Sequence, residues 1–307
     1  MTTPEPELDV VTGAFGYTGK YITSRLLTKG RRVLTLTGHG DRPSPFEQPI
    51  CVAPFNFDQP GALVESLRGA ATLYNTYWIR FPYGGMTYDR AVENSLTLIK
   101  AAQEAGIRRI VHISIMNASE RSPLPYFKGK ALVEKAIMAS GLSYAIIRPT
   151  VIFGPEGILI NNIAWLIRRF PIFAAPGSGD YKLQPIYVED VAEIAVSAAK
   201  RDDNEVVEAI GPEIYTFNGL VRLIAEVLHR RTIIVDLPPG IALQLSQWIG
   251  RSVSDVVLTE DEVKGLIAGL LVGHGSPTGQ TRLSDWLKEN AARVGIKYMS
   301  ELQRHYR

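Results

Sequence analysis

The sequence predicts an α/β protein with a doubly wound parallel sheet, followed by a smaller and mostly helical lobe. Over residues 1–150, short apolar segments alternate with amphipathic helical segments, which is the pattern of right-handed βαβ units. A glycine-rich turn joins the first apolar segment to the first helix. Glycine and proline then become dense from Gly154 to Pro185, and the helical patterns that follow have no clear strands between them.

Six apolar segments are predicted to be buried parallel strands, because each is a short apolar run bounded by turn residues. In chain order they are Leu8–Thr12, Arg32–Thr37, Ile50–Phe55, Ala71–Tyr77, Arg109–Ile115 and Tyr144–Arg148. The third is the weakest of these predictions, and Pro149 ends the sixth strand.

Four helices are predicted between the strands, since apolar residues recur on one helical face and a glycine follows each segment. They are Tyr17–Thr28, Leu63–Leu67, Thr87–Ala105 and Tyr126–Ser140. We therefore expect a first domain over residues 1–150, to which residues 180–200 return, and a C-terminal lobe over residues 151–307. Apolar stripes at helical spacing in that lobe are expected to pack against the rest of the protein.

Composition argues against several functional classes. Among 307 residues, 46% are hydrophobic and 21% charged, which is typical of a globular protein. The net charge of +2 comes without a basic tract, so nucleic-acid binding is not expected. The five histidines lack the spacing of a metal site, and no G-x-S-x-G motif indicates a serine hydrolase.

The single cysteine and the N-terminal segment bear on location. Cys51 rules out an internal disulfide and indicates a reducing compartment. It lies in a predicted strand, and we expect it to be buried there. The segment Met1–Glu7 has no apolar stretch of the signal-peptide kind, and every apolar run is far shorter than the roughly 20 residues that span a bilayer. The sequence therefore predicts a cytoplasmic protein without a membrane span.

The first strand runs directly into the turn Gly13-Ala14-Phe15-Gly16-Tyr17-Thr18-Gly19, which has the pattern G-x-x-G-x-x-G. Gly13 permits a tight turn, Gly16 lets the backbone approach a diphosphate, and Gly19 lets the helix lie close to the sheet. The start of the helix also offers N–H groups and the positive end of its dipole to phosphates. The turn therefore predicts a nicotinamide dinucleotide, NAD(P)(H), contacted by Gly13, Phe15, Gly16, Tyr17, Thr18 and Gly19. The alternative is a purely structural turn.

The end of the second strand bears on the choice between NADP(H) and NAD(H). An acidic residue at this position binds the ribose 2′-hydroxyl in NAD sites, but here the position holds Thr37. His39 and Arg42 follow, and the Arg42 guanidinium could meet a 2′-phosphate. The sequence favours NADP(H), with Thr37, His39 and Arg42 as cofactor contacts. Two alternatives stay open: Arg42 is a solvated loop residue, or Asp41 fills the acidic role.

Six blocks carry a resemblance to a known family. They are Thr12–Ile22 (TGAFGYTGKYI), Phe57-Asp58, Ala91–Asn94 with the helix running on to Ala102, Arg109–Ser114, Arg148–Pro155 (RPTVIFGP) and Tyr187–Ala192 (YVEDVA). Their order and spacing resemble the short-chain dehydrogenase/reductase superfamily in its extended and atypical branches, which include epimerase-like, NmrA-like and complex I accessory-subunit-like members. The resemblance covers about residues 8–220. It implies a Rossmann domain in which Asp58 contacts adenine and Pro149 lies near the nicotinamide.

The resemblance also implies catalytic residues, because the superfamily transfers hydride with a Tyr-x-x-x-Lys pair. Here the pair would be Tyr126 and Lys130, one helical turn apart. The lysine would lower the pKa of the phenol and hold the nicotinamide ribose, while Tyr126 exchanges a proton with the substrate oxygen. Ser114, at the end of the fifth strand, would orient a substrate carbonyl, with Asn117 as a second candidate. Lys128 competes with Lys130, and a structural role for the whole motif is the alternative.

The end of the fourth strand is expected to line the cofactor crevice through Asn75 and Thr76, with Tyr77 after them. The segment Trp78–Gly85 that follows is aromatic and ends in two glycines. It is predicted to be either a lid over the nicotinamide or a packed surface loop.

Two functions from different classes follow. The first is an NAD(P)-dependent oxidoreductase, or more narrowly an epimerase, acting on a small carbonyl or alcohol substrate. The second is a non-catalytic NAD(P)H-binding regulator or an accessory and assembly protein, because function depends on the site rather than on the fold. By analogy with the superfamily, a homodimer is also an expectation.

Overall fold

The computed structural model describes residues 6–306. Its strands are β1 (Leu8–Thr12), β2 (Arg32–Thr37), β3 (Cys51–Pro54), β4 (Ala70–Asn75), β5 (Arg109–Ile113), β6 (Ser143–Pro149), β7 (Ile152–Phe153), β8 (Ile172–Pro176), β9 (Lys182–Leu183), β10 (Ile186–Tyr187), β11 (Glu205–Ala209), β12 (Tyr215–Thr216) and β13 (Ile233–Leu237). Its helices are α1 (Tyr17–Thr28), α2 (Pro60–Leu67), α3 (Tyr88–Glu104), α4 (Pro125–Ala139), α5 (Ile158–Arg169), α6 (Val188–Ala198), α7 (Phe217–Val227), α8 (Pro239–Val253), α9 (Glu260–Ile267), α10 (Leu283–Asn290) and α11 (Glu301–His305).

The chain divides into two compact units. The first comprises the chain up to Arg148 together with Val191–Val207, and the second comprises Pro149–Asp190 and the chain from Glu208 onward. Each unit has an apolar core of its own, one built around residues such as Leu73 and Ile110, the other around residues such as Ile163 and Leu220.

A seven-stranded sheet with the order β11-β6-β5-β4-β1-β2-β3 forms the centre of the first unit, and the pairs from β3 to β6 are parallel. Helices flank this sheet, so the predicted doubly wound α/β class is confirmed. The strand order reverses between β1 and β4, and the crevice outside the carboxyl ends of these two strands is where such sheets bind ligands.

The segments β1, α1 and β2 begin and end at the predicted residues. Two predictions nearby were wrong in detail. Helix α2 begins at Pro60 rather than Leu63, because proline fits the first turn of a helix. Cys51 is exposed rather than buried, since β3 is the edge strand of the seven-stranded sheet.

The second unit contains strands that the sequence pattern did not reveal. Three two-stranded sheets lie in this unit, formed by β10 with β7, β12 with β9 and β13 with β8. Four of these strands have only two residues each, which is too short for a periodic signal. Across the described part of the chain, no helix is both long and apolar enough to cross a membrane.

Candidate dinucleotide and catalytic site

The glycine turn has the geometry that its sequence predicts. Gly13 takes a φ of +69°, and its N–H donates to the Leu36 carbonyl at 2.8 Å. A Cβ at Gly19 would lie 2.2 Å from the Gly13 oxygen, so a side chain there would force the helix away from the turn. Helix α1 starts after Gly16, which supplies no side-chain cap, and its first turn has no acidic residue. The helix start is therefore electrostatically suited to an anion.

Threonine hydroxyls hold this turn against the neighbouring strands. The Thr12 hydroxyl accepts the N–H groups of Thr76 at 2.7 Å and Tyr77 at 2.9 Å, and the Thr76 hydroxyl donates to the Thr12 carbonyl at 2.5 Å. The Thr35 hydroxyl accepts the Ala14 N–H at 3.0 Å. Sequence reasoning missed both threonines. Thr12 directly precedes the glycine turn, which was a usable signal, whereas Thr35 lies on β2 and reaches the turn only through the fold.

Asn75 and Thr76 lie beside the turn at the end of β4, as expected from the strand order. Asn75 is fully buried, and its side-chain oxygen accepts the Tyr77 N–H at 3.1 Å. The Tyr77 hydroxyl accepts a hydrogen bond from Asn94 at 2.8 Å, and burial raises the pKa of this phenol. The end of β4 is thus fixed by bonds to β1 and to α3.

The end of β2 presents no acidic side chain. The buried Thr37 accepts the His39 N–H at 3.0 Å, and the Arg42 N–H donates to the His39 carbonyl at 3.3 Å. His39 and Arg42 are half-buried, whereas Asp41 is exposed. The structure therefore brings His39 and Arg42 into the same turn as Thr37.

Two further predicted cofactor contacts follow other strands of the sheet. Asp58 follows β3, its side chain is 89% exposed, and its carboxylate lies 3.2 Å from the Arg90 guanidinium. Pro149 is buried at the end of β6. Phe15, within the glycine turn, is half-buried and lies 6.5 Å from Phe46, ring to ring.

Lys130 is deeply buried on helix α4. Its side chain is 3% exposed, and its ammonium donates to the Ile113 carbonyl at 2.7 Å. The ammonium also lies 4.8 Å from the centre of the Trp78 ring. Burial lowers the pKa of Lys130 to about 7, against the opposing effect of the Glu134 carboxylate.

Ser114 is equally buried, and its hydroxyl is already bonded. The hydroxyl donates to Glu134 at 2.5 Å, and the same carboxylate accepts two bonds from the Arg148 guanidinium, at 3.0 and 2.5 Å. Glu134 and Arg148 were missed as a pair. A usable signal was that Glu134 falls one turn after Lys130 and two turns after Tyr126 on α4.

Trp78 contacts both members of the predicted catalytic pair. Its ring lies edge-on to Tyr126 at 6.0 Å, and its indole lies so close to Gly129 that a Cβ there would be 2.8 Å away. Tyr126 itself is half-buried, and its ring also meets that of Tyr88 edge-on at 6.0 Å. The indole packs on the helix face that carries Tyr126 and Lys130.

The segment after Trp78 is a packed loop with a hairpin tip. Ile79 and Phe81 are buried, and Tyr83 and Met86 exchange backbone hydrogen bonds at 3.1 and 3.0 Å. The two glycines between them have φ values of +58° and +85°, as a tight hairpin turn requires. Gly84 and Gly85 therefore form a turn, which fits the packed-loop alternative.

Solved structures with a similar fold bind nicotinamide cofactors or act on sugar nucleotides. An NADPH-dependent quinone oxidoreductase from Escherichia coli, complexed with NADPH, aligns with a TM-score of 0.71 at 20% identity, covering 92% of this chain and 99% of that one. A nucleoside-diphosphate-sugar epimerase from Staphylococcus aureus gives 0.70 at 15% identity, covering 96% and 98%. At these identities the likeness establishes the fold, that of NAD(P)-binding epimerases and reductases.

Curated relatives are more similar in sequence. The mitochondrial NADH dehydrogenase (ubiquinone) 1 alpha subcomplex subunit 9 of Arabidopsis thaliana is 26% identical over 245 residues, which is 76% of this chain and 60% of that protein. The subunit of the same name from Mus musculus is 30% identical over 213 residues, 68% of this chain and 54% of the mouse protein. The chain thus matches little more than half the length of these relatives.

These similarities confirm the predicted resemblance to the extended, atypical branch. Residues 8–267 match the NmrA-like family, a span that includes the glycine turn, the α4 face and most of the second unit. The chain belongs to the NmrA-like family.

Proposed function

We propose that this chain binds NAD(P)(H) at the carboxyl ends of β1 and β4 and acts as a dinucleotide-binding accessory or assembly protein, without turnover of a carbonyl substrate. One observation supports the proposed lack of turnover. Hydride chemistry of this type needs Ser114 beside the substrate and Lys130 beside the cofactor, but both are 3% exposed and bonded inside the first unit. The names of the NADH dehydrogenase subunits among the relatives support the same conclusion.

The turn between β1 and α1 fits a dinucleotide. The space at Gly19 admits no Cβ, Gly13 holds a positive φ, and the uncapped start of α1 carries no acidic residue. A diphosphate would accept hydrogen bonds from backbone N–H groups at the helix start, where the dipole also favours negative charge. Thr12 keeps Thr76 against this turn, so the end of β4 would lie beside the bound cofactor.

NADP(H) is the preferred form in this proposal. Thr37 offers no carboxylate to a ribose 2′-hydroxyl, and Arg42 and His39 follow within one turn. A guanidinium binds a 2′-phosphate through paired donors, and a carboxylate at the same place would repel it.

The proposed lack of turnover is supported by the bonds that Ser114, after β5, and Lys130, on α4, already make. For catalysis, the Ser114 hydroxyl would have to leave Glu134, which Arg148 also holds. The Lys130 ammonium would have to leave the Ile113 carbonyl and the face of the Trp78 indole. Each of these side chains has a satisfied partner in a low-dielectric setting, where breaking a bond without replacement is costly.

An oxidoreductase is the second candidate, because Tyr126 is half-buried and precedes Lys130 by one turn on α4. In that case the nicotinamide would supply or accept a hydride. Tyr126 would exchange a proton with the oxygen of a small carbonyl or alcohol substrate, and Lys130 would favour the phenolate.

A charge placed at the start of α1 tests the binding site without disturbing the core. We expect Thr18→Asp to weaken NADPH binding about tenfold or more in calorimetry, because a carboxylate would meet the diphosphate. The matched control is Gly61→Asp, which adds the same charge to the first turn of α2, where a Cβ meets nothing within 4 Å. Equal losses in both variants, or no NADPH binding by the unmodified protein, would reject the proposed site.

Turnover separates the two candidates. The protein should bind NADPH but oxidise it no faster than background across a panel of carbonyl substrates and quinones, and Tyr126→Phe should change nothing. Substrate-dependent oxidation that collapses in Tyr126→Phe would instead establish the oxidoreductase.

A further inference from the structure

Arginines and exposed apolar side chains lie together on the second unit, at the start of β8 and β13. These two strands pair in parallel, with Ile172 opposite Ile233. A pair of arginines shortly precedes each strand in sequence. We call this surface the arginine patch; it comprises Arg168, Arg169, Arg230, Arg231, Phe170, Ile172 and Ile233.

The positive charge of the patch is not neutralised. Within residues 6–306, no carboxylate forms an ion pair with any of its four arginines. Arg168 donates instead to the carbonyls of Val294 and Ala291, at 2.9 and 2.5 Å. Burial lowers the pKa of Arg168, and the charges of Arg230 and Arg169 lower it further. Arg168 and Arg169 end α5, and Arg230 and Arg231 precede β13, so the pairing of Ile172 with Ile233 brings the two arginine pairs to the same end of the β8–β13 sheet.

The apolar residues of the patch are unusually open to solvent. Phe170, Ile172 and Ile233 are 49%, 56% and 65% exposed, whereas the next residue of β8, Phe173, points into the core. Neighbouring exposed apolar side chains of this kind mark surfaces that meet another apolar phase or molecule.

We propose that the arginine patch binds a membrane surface that contains anionic phospholipids. Such a surface offers phosphates to the arginines and, just beneath them, an apolar layer to Phe170, Ile172 and Ile233. A single-stranded nucleic acid would offer phosphates too, but its bases stack on aromatic rings, of which the patch has one, Phe170. A duplex would leave the exposed Ile172 and Ile233 without an apolar partner. This proposal is independent of cofactor binding, which concerns the first unit.

Vesicle co-sedimentation of the full chain tests the proposal. We expect partition onto phosphatidylcholine vesicles that contain phosphatidylglycerol, little onto phosphatidylcholine alone, and weakening with added salt. Arg230→Gln and Arg231→Gln should each lower the partition about fivefold, because each basic residue near an anionic surface contributes about that factor. These two are chosen because Arg168 and Arg169 hold backbone carbonyls of the chain. Ile233→Ser should also lower the partition.

Two controls locate the effect. Lys100→Gln with Arg121→Gln removes two exposed charges from the first unit and should leave partition unchanged. Trp248→Ser removes another exposed apolar residue of the second unit, 67% exposed and 5.2 Å from the Arg251 guanidinium, and should also have no effect. Loss with either control equal to that at Arg230 and Ile233 would overturn the proposal, as would failure to bind anionic vesicles. Unchanged NADPH affinity in the patch variants would distinguish this result from a failure of the dinucleotide site.

Discussion

Two regions of the first unit carry equally recognisable motifs: the glycine turn, and the side of α4 that bears Tyr126, Lys130 and Glu134, which we call the α4 face. They differ in what their polar groups bind. At the turn, the groups proposed to bind the cofactor are backbone N–H groups at the start of α1, whose first turn has no acidic residue. At the α4 face, by contrast, Lys130 of α4 is bonded to the Ile113 carbonyl, and Ser114, which follows β5, is bonded to Glu134 of α4. A retained motif therefore does not by itself make a side chain available, whereas a backbone turn keeps its ligand-binding groups wherever its glycines remain.

The largest expected effect tests the turn. Gly19→Ala would place a Cβ 2.2 Å from the Gly13 oxygen, so backbone must move. We expect a loss of about 3 kcal/mol in the free energy of unfolding, the upper range for overpacking. NADPH binding should weaken so much that the site can no longer be saturated in calorimetry. Urea denaturation and calorimetry measure the two effects.

The matched control is Gly61→Ala on α2, where the added Cβ meets nothing within 4 Å. Here alanine should be neutral or stabilise the protein by up to about 1 kcal/mol, since glycine is a poor helix former. If Gly19→Ala behaved like this control, the close approach of α1 to the turn would be disproved.

How much the sequence could predict also differs between these two regions. The turn was predictable residue by residue because strand, turn and helix are adjacent in sequence, and three glycines specify the geometry. The contacts of α4 were not, because Arg148 reaches Glu134 from β6, and Trp78 reaches Gly129 from the loop that follows β4. Such contacts depend on strand order, as does the exposure of Cys51 on the edge strand.

The second prediction concerns the buried ammonium of Lys130. Its pKa is lowered to about 7 in the folded protein, and a lysine in the unfolded chain titrates near 10.4. Between these values the unfolded state binds more protons, so stability should rise with pH, by about 1 kcal/mol per pH unit. Urea denaturation between pH 7.5 and about 9.5 measures this slope, below the range where tyrosines titrate.

Two variants attribute the slope to Lys130. Lys130→Met removes the ammonium and should flatten the dependence, while Lys128→Met removes an exposed charge of the same helix and should retain it. The neighbouring His112 does not interfere, because burial and the charge of Lys130 hold its pKa well below the usual value, outside this window. A flat profile in the unmodified protein would mean that Lys130 is accessible to water, which would favour the oxidoreductase.

The smallest expected effect tests whether Glu134 withholds Ser114 from a substrate. Glu134→Gln keeps the shape of the side chain but removes the charge that binds both Ser114 and Arg148. We expect a loss of about 1.5 kcal/mol in the free energy of unfolding, the lower end for a hydrogen bond to a charged group, because the glutamine oxygen still accepts and Arg148 is partly exposed. Glu120→Gln, which breaks the exposed pair with Lys135 at 2.9 Å, should cost less than about 1 kcal/mol. If both substitutions had the same small effect, the Glu134 carboxylate would not hold Ser114. The contrast between a closed α4 face and an open glycine turn would then lose its main support.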